Sequence, residues 1–508
     1  MVPGTAIGVL VGDLLFFWMA LRLARRTGRD DVTSMPLGLD TPSTFGMVFF
    51  VLGPAFLHAQ GQGLNDHAAA MHTWGIGICC IFISGVFKFG CALIADWVRR
   101  VTPRAGLLGS LAAIALVIIS FLPLLEVLHH PIVGMVALAV VLTTLVARVP
   151  VPGRVPGALA ALLVSGLVYY IMKYFNLLDG SLGDGGITAA DARQALLPYE
   201  WLHVFSFQWL SSMGQAVQYL PIVIPFALAT VVGGIDCTES AAAVGDEYST
   251  KKVIGVEAFA TLIAAVCGGV IQTTPYIGHP AYKAMGGRAA YTLATAIFVG
   301  SAGLFGYFGF MYLLIPKPTV FPILIFIGLE ITAQSFHATP RRHYPAVALA
   351  CIPALAYLAL NFIDRIFGDP ALLAAGLNTR TLQDAATVYD LQSVRVLANG
   401  FILTSLIWAS ALAAIIDRRL YVAAGYFAAC AVGALFGIIH SPLAGSPMFL
   451  PWGESAPPAE MLELTFRYAV AYALMTALFA VWGWWLSANP HLDHGRGEPA
   501  EDAGEASE

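Results

Sequence analysis

Two short stretches hold the residue types that could do chemistry in an otherwise apolar chain. LDTPSTFG (39–46) and QTTPYIGHP (272–280) each set a hydroxyl residue and a proline at the start of a short apolar segment, with glycine nearby. Thr41 can cap a first helical turn, and Pro42 fits at the first helical position because its missing N–H is not needed there. A helix that begins part-way through a bilayer exposes unpaired backbone N–H groups, tolerable only where they face a polar cavity. Those groups form the positive end of the helix dipole and can hold an oxygen or an anionic edge. Paired broken helices in corresponding halves of a chain point to a transporter's central site. The plainer reading is two ordinary caps at the membrane surface; recurrence half a chain apart favours the functional one. Asp40, Thr41 and Ser43 line the first break. Gln272, Thr273, Thr274 and Tyr276 line the second and suit the edge of a flat heterocycle; His279 would contact substrate or simply cap.

Further ionisable residues stand inside apolar runs. Asp236 and Glu239, in GGIDCTES, are three apart and share one helix face. Carboxylates inside a membrane are costly unless hydrated, paired or protonated, so they mark ion or substrate pathways. Either could load and release a proton. The competing reading ends this span near residue 236 and leaves both at the surface beside Lys251 and Lys252; the continuation AAAV (241–244) argues for depth. Asp13, mid-span in GVLVGDLLFF, reads equally as a coupling residue or a structural partner. Glu257 and Glu330 read as interhelical hydrogen-bond partners. Lys88 snorkels or pairs with a carboxylate.

The elements that must position these residues follow from composition. Of 508 residues, 58% are hydrophobic and 11% charged, against about a quarter charged in soluble domains. Apolar runs long enough to cross a bilayer recur throughout, and their continuous pattern excludes a barrel of alternating strands. The expectation is an all-α polytopic membrane protein of fifteen spans, near 4–23, 42–59, 70–97, 104–126, 130–147, 155–174, 215–236, 252–268, 275–285, 289–315, 318–336, 343–362, 397–416, 420–439 and 464–486. Two of them, 42–59 and 275–285, are half-helices starting at a Thr-Pro step. Alternating the loops puts 18 cationic residues on one side, including Arg22–Arg29, Arg99–Arg104 and Lys251–Lys252, and 7 on the other. The first side is then cytoplasmic and so is the C-terminus, in a cell (inner) membrane. Fifteen spans leave Met1 outside, so a first helix is expected to be missing; the alternative is that one short span is not a crossing. The seven cysteines form no spaced pair, and no metal or organic cofactor is expected. NLLDGSLGDGG (176–186) lacks a calcium-loop pattern and reads as a surface loop. The stretch 367–396 reads as interfacial, and the acidic end (488–508) as disordered.

FALATVVGGIDCTESAAAVGD (226–246), VEAFATLIAAVCGGVIQTTPYIG (256–278) and AMGGRAAYTLATA (284–296) resemble the nucleobase–cation symporter family of xanthine, uracil and adenine permeases, which shares its fold with ascorbate and, more distantly, sulfate and bicarbonate transporters. The resemblance runs to about residue 416. It implies two inverted seven-span repeats forming a core and a gate. The first repeat supplies core 1–100 (its first helix absent) and gate 101–176. An external loop (177–213) precedes the second repeat, with core 214–316 and gate 317–416. Two added spans (417–487) and the tail follow. The family's base-binding acid in its eighth helix aligns with Asp236. Its second acid, after the Thr-Thr step, aligns with Gly278, beside His279, so recognition through two carboxylates does not carry over intact. Asp40 stands where the family has a neutral residue.

The expected function is a secondary active transporter of a small planar, nucleobase-like substrate, coupled to H⁺ or Na⁺ through Asp236, Asp13 or Glu239. The substrate set is Asp236, Glu239, Asp40, Thr41, Ser43, Gln272, Thr273, Thr274, Tyr276 and His279. The alternative is an organic or inorganic anion carrier of the same fold. A channel lacks the short symmetric repeat, and no phosphate loop or metal cluster suggests an enzyme. Partners are the substrate and the bilayer, without nucleic acid; a homodimer is left open.

Overall fold

Helix α1 (Val2–Thr27) is an apolar run begun by a proline and stopped at Gly28, whose φ of +66° is the left-handed conformation that closes a helix. The computed structural model describes residues 1–178, 189–194, 196–276, 278–369, 371–372, 375–377, 381–443, 447–453 and 456–489. The acidic tail beyond Asn489 and most of the 176–186 loop lie outside the described residues.

After α1 comes a three-residue strand β1 (Leu37–Leu39), then α2 (Thr41–Gly46), which runs through a π-helical turn (Met47–Leu52) into α3 (Gly53–Gly61). Next are α4 (Asp66–Ala92), α5 (Ala95–Val101), α6 (Arg104–Ile114), α7 (Leu122–His129), α8 (Pro131–Val141), α9 (Gly157–Tyr174), α10 (Ala189–Gln194) and α11 (Met213–Ala216). The second half holds α12 (Leu220–Ala243), α13 (Thr250–Val266), β2 (Thr273–Pro275), α14 (His279–Ala284), α15 (Tyr291–Phe305), α16 (Phe308–Leu314), α17 (Lys317–His337) and α18 (Tyr344–Phe367). The chain ends in α19 (Ala385–Ala398), α20 (Phe401–Ile416), α21 (Leu420–Leu435) and α22 (Ala459–Ala488). Among the described residues, eight helices are long and apolar enough to cross a membrane, or nine if α19 and α20, bent by 79°, count as one broken span. This is a multi-pass α-helical membrane protein.

Three expectations need correcting. The span bound at 236 is the first: α12 continues to Ala243 and so carries Asp236 and Glu239 within the helix, as the AAAV continuation suggested. The span expected over 289–315 is two helices, parted at Gly306, where φ is +78° and the backbone turns left-handed. The second half-helix does not start at Thr274-Pro275: those residues are extended in β2, and α14 begins at His279-Pro280. A proline suits an edge strand as well as a first helical turn, so Thr-Pro alone does not choose between them.

The described chain divides into two compact units. One comprises Met1–Ala95, Ala115–Tyr219 and Ser240–Gln334; the other comprises Asp96–Ile114, Leu220–Glu239 and Ser335–Glu508. In the first, α1 packs on α13 and α15, and α13 on α4. The approach is backbone-close: a Cβ on Gly8 would stand 2.5 Å from the Ala264 methyl carbon, and one on Gly303 2.1 Å from that of Ala6. Small residues at such contacts are how membrane helices associate without a hydrophobic drive between them. In the second unit, α6, α18 and α20 meet through Ala105, Ala112, Ala346, Ala350, Ala409 and Ala413. There α20, α21 and α22 enclose Phe427, Cys430 and Tyr472. Leu474, Leu478 and three tryptophans (482, 484, 485) are exposed along α22, fitting a lipid-facing helix with an aromatic end.

Candidate functional site

The two breaks meet within the first unit. β1 and β2 pair antiparallel, Leu37 opposite Pro275, Gly38 opposite Thr274 and Leu39 opposite Thr273. The Tyr276 amide adds a bond to the Pro36 carbonyl (2.7 Å). Short strands inside a helical bundle are stable here because each satisfies the other's backbone where no water would. A Cβ on Gly38 would come within 3.1 Å of the Tyr276 ring, so any larger residue there must push the ring aside. Pro275 brings no N–H to the pair, and Leu37's own N–H goes to the Asp13 carboxylate (2.7 Å). Asp13 also accepts from the Thr295 hydroxyl (2.8 Å), which fastens β1 to α1 and α15.

Asp40, not Thr41, caps α2. Its backbone is extended and its carboxylate accepts from the Ser43 amide at 2.7 Å, while the Thr44 hydroxyl bonds the Asp40 carbonyl. An aspartate is a stronger cap than a threonine, and the chain turns helical only at Thr41. Asp40 is half-buried, as are Thr274 and Tyr276, and the neighbouring Leu39 is exposed. Gln272 and Thr273 are buried: Gln272 accepts from Ser84 (2.9 Å), and the Thr273 hydroxyl stands 2.9 Å from that of Thr261. Behind Thr273 sits a fully buried ion pair. Lys88 Nζ of α4 donates to Glu257 Oε1 of α13 (2.8 Å) and to the Thr273 carbonyl (3.0 Å), and neither charged side chain is exposed. Of the two expectations for Lys88, pairing is what the geometry gives.

His279 is held by a loop carboxylate. Its Nε2 is 2.9 Å from Asp246, which also takes Lys283 (2.8 Å), Arg29 (3.2 Å) and the Thr33 amide (3.1 Å). Burial pushes the Asp246 carboxyl up, but the bonds from His279, Lys283 and Thr33 outweigh it and hold the group below the usual carboxylate range. This knot ties the α1–β1 link and the α12–α13 loop to α14. Asp246 was missed in the sequence because it reads there as one more acid in a loop, GDEY.

Asp236 and Glu239 belong to the second unit. The Ser110 hydroxyl of α6 donates to Asp236 Oδ2 at 2.5 Å, and Asp236 Oδ1 is buried with no hydrogen-bond partner among the described residues. Glu239 is held by Arg99 and Arg104, each at 2.7 Å, beside a cavity of about 410 Å³ that Asp96, Arg100 and Thr102 also line. Each unit therefore holds its own part of the expected set: Asp13, Asp40, Thr41, Ser43, Gln272, Thr273, Thr274, Tyr276 and His279 in one, Asp236 and Glu239 in the other. Among the described residues, no group of three or more His, Cys, Asp or Glu side chains is placed to hold a metal ion. Compared with known protein families and with curated protein sequences, the chain shows no match.

Proposed function

We propose that this chain is a secondary active transporter, a permease of the inverted-repeat kind, that moves a small planar, weakly acidic substrate with H⁺ or Na⁺. One observation carries the reading: two interrupted segments, half a chain apart, cross as an antiparallel strand pair inside a unit built of membrane-type helices. Irregular backbone at that depth is tolerated where it lines a polar cavity, and in transporters such breaks hold the substrate. Asp40, Thr274 and Tyr276 are the half-buried groups at the crossing and supply acceptor and donor atoms for a heterocycle's edge. Fifteen crossings, a core and a gate, alternating access and a cytoplasmic C-terminus complete the proposal. Asp236 retains its place as a substrate or proton group: a buried carboxylate with one oxygen unpartnered among the described residues suits a site that changes occupancy.

A second reading, an organic or inorganic anion carrier, is favoured by Gly278 standing where the resembled family has its second acid and by the Lys88 ammonium behind β2. The test is uptake by proteoliposomes of radiolabelled uracil, xanthine, adenine, urate, bicarbonate and sulfate, with and without a pH or Na⁺ gradient. Accumulation of one class selects between the readings. Currents without accumulation of any would replace both with a channel.

A further inference from the structure

We propose that the Lys88–Glu257 pair is the proton-coupling site, and that it makes the carried substrate a monoanion moved with one proton. The inference rests on the transport reading above and adds the substrate's charge and the coupling group. Three elements converge on the pair: α4 supplies the ammonium, α13 the carboxylate and β2 the Thr273 carbonyl that the ammonium also holds. A pair serving only to join two helices could lie anywhere along α4 and α13. This one lies against the strand crossing, the place where the backbone leaves the helix. The titratable groups facing it are Asp40, within electrostatic reach of Lys88, and Cys91, one turn along α4 and within reach of both.

The charge argument is simple. With both side chains fully enclosed, the empty pair is neutral overall, so an anion added beside β2 brings one negative charge that the pair does not balance. A proton taken by Glu257 converts –COO⁻ to –COOH; Lys88 keeps its own proton, and its positive charge then balances the anion instead of the glutamate. Release of the anion and loss of the Glu257 proton restore the starting pair. No other charge changes, so each cycle moves one anion and one proton and no net charge. The substrate need not touch Lys88; it docks on the half-buried edge formed by Asp40, Thr274 and Tyr276 and acts on the ammonium through the strand.

Proteoliposomes holding the full-length protein and given radiolabelled urate outside test this. For one-to-one electroneutral symport, a gradient of about one pH unit accumulates the anion about tenfold, and an imposed potassium-diffusion potential changes nothing. Glu257→Gln should abolish accumulation driven by the pH gradient yet keep urate–urate exchange, which needs no net proton movement, and Glu257→Asp should restore coupling. A merely structural pair would lose or keep both activities together. Wild-type accumulation that follows the membrane potential overturns the proposal without any variant, so it stays testable if Glu257→Gln does not insert. Gradient-driven accumulation by Glu257→Gln equal to wild type also overturns it while leaving the transport reading intact. Wild-type vesicles that accumulate nothing from the wider panel refute the transport reading, and this inference falls with it.

Discussion

Replacing Lys88 by methionine probes the buried pair as a structural element, separately from any flux. At an effective dielectric of about 20, unit charges 2.8 Å apart attract by about 6 kcal/mol. Most of that is offset by taking both ions out of water, so the measurable quantity is what one partner's removal leaves behind. Lys88→Met takes the ammonium from the buried Glu257 carboxylate and a hydrogen bond from the Thr273 carbonyl. The expected cost is about 3–5 kcal/mol, the range for breaking a buried pair by removing one partner. Removing both charges in Lys88→Met/Glu257→Leu should recover most of it, because two apolar side chains fill the same space without an uncompensated ion. Unfolding of the detergent-solubilised protein, run on wild type, both single variants and the double variant, gives the coupling energy directly. A single-variant cost under about 1 kcal/mol, the scale of a surface pair, or strictly additive variants would refute the reasoning.

Further outcomes follow from the same contacts. Gly38→Val places branched carbons where even a Cβ meets the Tyr276 ring at 3.1 Å; substrate uptake should be lost, and wild-type uptake would show that the crossing tolerates being pushed apart. Asp246 is held below the ordinary carboxylate value, so its stabilisation is fully present above the unfolded pKa of about 3.9 and fades only as pH falls through the lower folded value. The stability gap between wild type and Asp246→Asn should therefore be flat from about pH 7 to about pH 5 and close only below about pH 4; a gap that closes near neutrality would assign the knot to another group. Asp236→Asn should abolish accumulation while the protein still reaches the membrane, and full uptake in that variant would remove Asp236 from the site.

Much of this was legible in the sequence where a rule is local. Continuous apolar runs marked the helices, and Thr41-Pro42 marked the first half-helix to within one residue. The cap was misplaced by one because Asp40 and Thr41 are adjacent cap formers and only the extended backbone at Asp40 decides between them. The second start was four residues early because Thr274-Pro275 and His279-Pro280 carry the same proline signal, and pairing with β1 claims the first for a strand. A three-residue strand has too few positions to show a period, so no pattern foretold the crossing. Lys88 and Glu257 each showed as an oddity inside an apolar run, but partners 169 positions apart are joined by the fold alone. Asp246 gave no signal at all, since what sets it apart is that His279, Lys283, Arg29 and Thr33 converge on it.

The central claim is that substrate binds at the strand crossing, and accessibility of Thr274 tests it most directly. In a background with the seven native cysteines replaced, Thr274→Cys is treated with a small methanethiosulfonate reagent in proteoliposomes, with and without the substrate identified by the uptake panel. Labelling that stops uptake, and that saturating substrate slows, is the predicted result. Labelling that leaves uptake intact, or a rate that substrate does not change, would contradict it.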